Sequence, residues 1–182
     1  MKRPRTTQVT PGKPFSWTPH SGFLPWTDLF DCGVAYRAAA NAVFAMLLQE
    51  GNRGSLEAHP LVFLYRHSVE ACVKAILYDF GVPLGITNKN VRDRGHDLSN
   101  QLPDLMRVSQ TAGKRISERT KDAINQLNST DPSGTNFRYA GIASRKGTFN
   151  LRHFHEEMEL ALEEIGALHS ELVSEVIQDV AD

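Results

Sequence analysis

The sequence predicts an all-α domain, a bundle of about five helices. Apolar residues recur at helical spacing through five segments. No run alternates apolar and polar residues as a half-buried strand does. The last segment keeps a single apolar stripe for about seven turns.

The first helix is expected from Thr27 or Asp28, a suitable cap, to Gly51, a C-terminal stop. Its stripe is Tyr36, Ala40, Val43, Phe44 and Leu47. The second begins near His59-Pro60, where proline suits the first turn, and ends at Gly81. A glycine- and charge-rich loop from Gly85 to Gly95 follows. Asp97 caps a third helix to Ser109, with Pro103 expected to kink or delay it. The fourth covers Lys114 to Asn128, with Ile116, Ala123, Ile124 and Leu127 facing in. An irregular stretch, Ser129 to Asn150, holds three glycines and one proline; a loop of that length is functional or disordered in most compact domains. The final helix, Leu151 to Val180, carries Leu151, Phe154, Met158, Ala161, Leu162, Ile165, Leu168, Leu172 and Val176 on one side. Residues 1–25 read as an extended or disordered arm until Phe23, Leu24 and Trp26 dock on the body, and residues 26–182 as the bundle domain.

The 182 residues suffice for one domain with a real core. A net charge of −1, from 20 basic and 21 acidic residues, argues against a protein that coats nucleic acid electrostatically. Cys32 and Cys72 form no CxxC pair and read as buried, reduced thiols. No apolar run is long enough to span a membrane, and no signal-peptide pattern follows the basic Met1–Arg5. The expectation is a cytoplasmic protein that needs no cofactor.

The second helix carries the chemistry. Arg66, Glu70 and Lys74 fall at i, i+4 and i+8 in an otherwise apolar segment, with His67 one position round. They form either a solvated ladder of ion pairs or one wall of a polar pocket. Two later segments can supply partners, Gly95-His96-Asp97-Leu98 and Asp131 to Tyr139. Asp97 is first a helix cap. The helix start beside His96 can also hold an anion. Asp131-Pro132-Ser133-Gly134 has turn composition. Arg138, between Phe137 and Tyr139, suits stacking on a base or a phosphate contact, and equally an internal clamp on Glu70 or Asp97. His153 and Glu157 share a helix face, but no third ligand accompanies them or the neighbouring His155 and Glu156, so no metal site is assigned. Arg145, Lys146 and Arg152, near Phe149, read as ordinary surface.

The order of three pieces resembles the HEPN superfamily over roughly Pro60 to Val176. They are Tyr65-Arg66-His67-Ser68-Val69-Glu70-Ala71-Cys72-Val73-Lys74-Ala75, then Gly95-His96-Asp97-Leu98 opening a helix, then Phe137-Arg138-Tyr139 before the last helix. The resemblance implies an up-and-down helical bundle, commonly a homodimer. It further implies either RNA cleavage or a non-catalytic role beside a nucleotidyltransferase. The nuclease branch carries an arginine and a histidine with four to six residues between them, late in the bundle. Here only Arg53 and His59 have that spacing, before the second helix. The expectation is therefore a non-catalytic HEPN-like homodimer. It would bind a nucleotide, an RNA or other nucleic-acid end, or a partner protein at Arg66, Glu70, Lys74, His96 and Arg138, with His67, Asp97 and Tyr139 beside them. The alternatives are a metal-independent ribonuclease using Arg138 or Arg145 and His96 or His153, and an assembly protein whose polar stripe fixes helix register.

Overall fold

The computed structural model describes residues 27–49, 58–132, 134 and 150–181. Among them it is all-helical: α1 (Thr27–Gln49), α2 (Ala58–Phe80), α3 (Asn88–Asp93), α4 (Leu98–Thr111), α5 (Glu118–Thr130) and α6 (Leu151–Ala181). A one-turn 3₁₀ helix, Val82–Leu84, joins α2 to α3. The arm, Gly51, and the segment holding Arg138, Tyr139 and Arg145 lie outside the described residues.

Helix α2 is the axis of the bundle. It packs against α1, α3, α4, α5 and α6. Leu61, Tyr65, Val69, Ala75, Ile76 and Leu77 on it are fully buried. A helix enclosed on so many sides must be apolar almost all round, which explains why its polar residues stood out. One apolar core runs from Phe30 on α1 to Leu172 on α6. The stripes expected on α5 and α6 face into it, with only Leu151 and Val176 at its margin.

The structure corrects four local expectations. The Gly85–Gly95 stretch is not all loop, because α3 forms inside it. Thr87 Oγ1 accepts from Asn90 N at 3.2 Å and Asn90 Oδ1 accepts from Thr87 N at 2.9 Å, a reciprocal cap. Val91 alone buries against the core, too little apolar content to show a period. Pro103 does not delay α4, which starts at Leu98 and runs through it to Thr111. The carbonyl it deprives of a partner belongs to exposed Ser99, which water can reach. Helix α5 starts at Glu118 rather than Lys114, because Ser117 caps it by accepting from Thr120 N at 3.2 Å. Cys72 is buried, and burial pushes its thiol up to about 12, whereas Cys32 is only half-buried at the edge of α1.

Helix α1 approaches α2 closely at Gly33. Ser68 Oγ donates to the Gly33 carbonyl at 2.8 Å. A Cβ at Gly33 would stand 2.4 Å from Cys72 Sγ. The connection from α2 to α4 is tied down by Asp104, 5% exposed, which takes ion pairs from Arg94 and Arg107. Arg107 also donates to the Leu84 carbonyl at 2.8 Å. These ties hold α4 against the connection that leads to it from α2.

Candidate functional site

Glu70 is the centre of the cluster. Arg66 Nη1 donates to its Oε2 at 3.0 Å, and Lys74 Nζ donates to its Oε1 at 2.8 Å. The helical spacing chosen by the sequence makes both contacts possible. His96 Nδ1 lies 2.7 Å from the same Oε1. A carboxylate only accepts, so Nδ1 carries the hydrogen and Nε2 is left as the outer nitrogen. Burial opposes the charge on Glu70, yet Lys74, then Arg66 and His96, outweigh it and hold the carboxyl below its ordinary range.

Arg66 is fully buried and Glu70 is 6% exposed, so the stripe is not a solvated ladder. The Arg66 guanidinium donates to Glu70, to the His96 carbonyl, and through Nε to the Asp131 carbonyl at 3.3 Å. Burial lowers its pKa, against the attraction of Glu70, Asp131 and Asp97. A guanidinium starts so high that it stays cationic at neutral pH. Arg66 thus clamps three segments together: α2, the start of α4, and the turn after α5.

That turn matches its composition. Gly134 N donates to the Asp131 carbonyl at 3.3 Å, and Gly134 has φ +67°, a left-handed conformation that favours glycine. A Cβ there would sit 3.5 Å from His96 Cβ and 3.7 Å from Glu70 Oε2. The turn therefore lies directly over the Glu70–His96 contact. What remains at the surface is the His96 side chain, 53% exposed, with Lys74 at 16% beside it.

Not every expected member joins this cluster. His67 turns toward α1: its Nδ1 lies 3.0 Å from the Phe63 carbonyl, and its ring meets Phe63 and Tyr36. Asp97 serves its own helix, accepting from Ser99 N at 2.9 Å, and bonds from the Ser99 hydroxyl and backbone hold its carboxyl below the ordinary range. It reaches Arg66 only as a nearby charge. Arg138 and Tyr139 are among the residues not described. His153 lies 3.7 Å from Glu157, which is already gripped by Arg119 through two hydrogen bonds.

Sequence reasoning missed a second polar cluster. Arg37 of α1 donates to Glu159 Oε2 of α6, at 3.0 Å from Nε and 2.7 Å from Nη2. Tyr65 Oη lies 2.9 Å from Glu159 Oε1, 2.9 Å from Asn41 Oδ1 and 2.6 Å from His155 Nδ1. Burial, with Glu159 beside it, pushes the Tyr65 hydroxyl well above the ordinary phenol range. Arg37 was the available signal, as the sole basic residue of an apolar helix that needs an acceptor.

No protein-family model matches the chain, and no curated protein or solved structure does either.

Proposed function

We propose that this chain is a non-catalytic HEPN-like helical protein that binds a phosphate-bearing ligand, a nucleotide or a nucleic-acid end, at the rim formed by His96 and Lys74. One observation carries the reading. Arg66 and Glu70 are spent on building the site, while the His96 imidazole is fixed by Glu70 and kept at the surface. With a hydrogen on Nε2 as well, an imidazole fixed in this way beside an ammonium at a helix start donates to an anion. The test is titration of the full chain with nucleoside monophosphates and 5′-phosphorylated RNA oligonucleotides by calorimetry. Saturable binding that weakens at least about tenfold, about 1.4 kcal/mol, in His96→Ala and in Lys74→Ala is expected. Equal binding by both variants would refute the rim as the site.

The Glu70–His96 contact also supports a second reading, a ribonuclease. A carboxylate that fixes Nδ1–H leaves Nε2 placed to take a proton. Incubation with single-stranded RNA, with and without chelator, separates the two readings. The expected result is intact RNA; cleavage lost in His96→Ala would establish the enzyme instead.

A homodimer belongs to the same proposal. Val34, Met46 and Leu48 of α1 are large apolar residues left 45–49% exposed. Light scattering should give twice the chain mass of 20.3 kDa, and a steady 20.3 kDa across micromolar concentrations would exclude the dimer. A nucleotidyltransferase as the physiological partner follows from the resemblance, and co-purification with one tests it. Among the described residues, no helix is long and apolar enough to cross a membrane.

A further inference from the structure

Two histidines of α6 stack on two phenylalanines of α1 in nearly the same way. His169 lies on Phe30 with ring centroids 3.7 Å apart and planes 10° apart. His155 lies on Phe44 at 3.7 Å and 13°. The phenylalanines are 14 residues apart, and so are the histidines. That separation is about four helical turns at 3.6 residues per turn, so each pair shares one helix face. The early phenylalanine meets the late histidine, so the helices run antiparallel. Arg37, seven residues from each phenylalanine, reaches Glu159 and Glu163 between the two histidines. The seam is therefore a ring stack, an ion pair and a second ring stack.

We propose that this α1–α6 seam is an acid-released clasp, in which protonation of His169 and His155 frees the edge of α6 while α1 stays docked on α2. The His169 ring is also flanked edge-on by Phe80 of α2, and its Nε2 is buried without a hydrogen-bond partner. Protonation makes both ring nitrogens donors and leaves one of them with no acceptor. Ring attraction for the cation returns part of this cost. The facing charge is Asp31 of α1, which opposes the effect of burial without cancelling it, so the imidazole is held below its ordinary value. His155 is held in the same direction by burial. It faces Tyr65 of α2, Arg37 of α1, and Arg152, Glu156 and Glu159 of its own helix. Arg37 and Arg152 disfavour the imidazolium there, and the two carboxylates favour it.

The sign follows. A histidine lowered in the folded state adds stability in full above its ordinary value of about 6.5, and that stability is lost as the pH falls below it. The contact between α1 and α2 is carried at Gly33 by Ser68 and backbone, and the histidine on that side, His67, is hydrogen-bonded to the Phe63 carbonyl of its own helix and meets Tyr36 of α1.

The test combines proton NMR of the histidine rings with hydrogen exchange of the full chain, corrected for intrinsic rates, at about pH 7.5 and about pH 5. Ring titrations of His155 and His169 below about 6.5 are expected. Amides in the middle of α6 should lose protection about tenfold or more at the lower pH, while those of α2 keep theirs. The double variant His155→Gln/His169→Phe should show no such pH dependence. Unchanged α6 protection in the wild type, equal loss in α2, or the same loss in the double variant would each overturn the clasp. If the double variant fails to fold, the wild-type ring titrations and exchange decide the matter alone.

Discussion

Replacing Arg66 with alanine is expected to destabilise the protein by about 3–5 kcal/mol, the range for breaking a buried ion pair. The change leaves Glu70 buried with a weaker set of donors and strips the His96 and Asp131 carbonyls of theirs. Lys74 and His96 stay on Glu70, which places the effect at the lower part of that range. The loss is still large against a total stability of about 5–15 kcal/mol. Arg66→Lys keeps the charge but not the planar fork, and should fall between wild type and alanine. Urea unfolding measures all three proteins. A loss below about 1 kcal/mol for Arg66→Ala, as at surface positions, would show that the guanidinium clamps nothing. The same comparison bears on function, because the clamp is what presents His96 at the surface.

Gly33→Ala is the second large effect, and its sign is the informative part. In an open helix interior the change stabilises by about 1 kcal/mol through helix propensity. Here the new methyl group would stand 2.4 Å from Cys72 Sγ, 3.0 Å from the Ser68 carbonyl oxygen and 3.1 Å from Cys72 N. The sulfur belongs to a buried side chain, and the other two atoms are backbone of α2, so neither can swing aside. Overpacking costs about 1–3 kcal/mol or more, and three such contacts place the case at the upper end. A net loss of about 2 kcal/mol is expected once the propensity gain is subtracted. Adding Cys72→Ala should recover only part, because the backbone contacts remain. A Gly33→Ala protein as stable as wild type would mean that α1 does not approach α2 this closely.

The polar cluster shows how far a sequence reaches. Arg66, Glu70 and Lys74 announced themselves because three charges stood in an apolar helix, and the segments named as their partners are the ones that meet them. The manner of meeting was not legible. Arg66 is satisfied by two backbone carbonyls as well as by Glu70, and a carbonyl has no sequence signature. His67 looked equivalent to Arg66, but one residue is about 100° of helix, enough to turn it to α1. Asp97 was legible as a cap because capping is local.

The sequence by itself determined the helices, most of their ends and the stripes facing the core, because periodicity, caps and breakers act within a few residues. Helix α3 escaped because its cap is polar and only Val91 is buried, so no period could form. Only the tertiary structure decided which helices touch and in what register. It put Gly33 against Cys72, Arg37 between Glu159 and Glu163, and His155 and His169 on Phe44 and Phe30. Those pairs lie far apart in the chain, and each is fixed by how all the surrounding surfaces pack together. No single segment carries that information, because close packing is a property of the whole core.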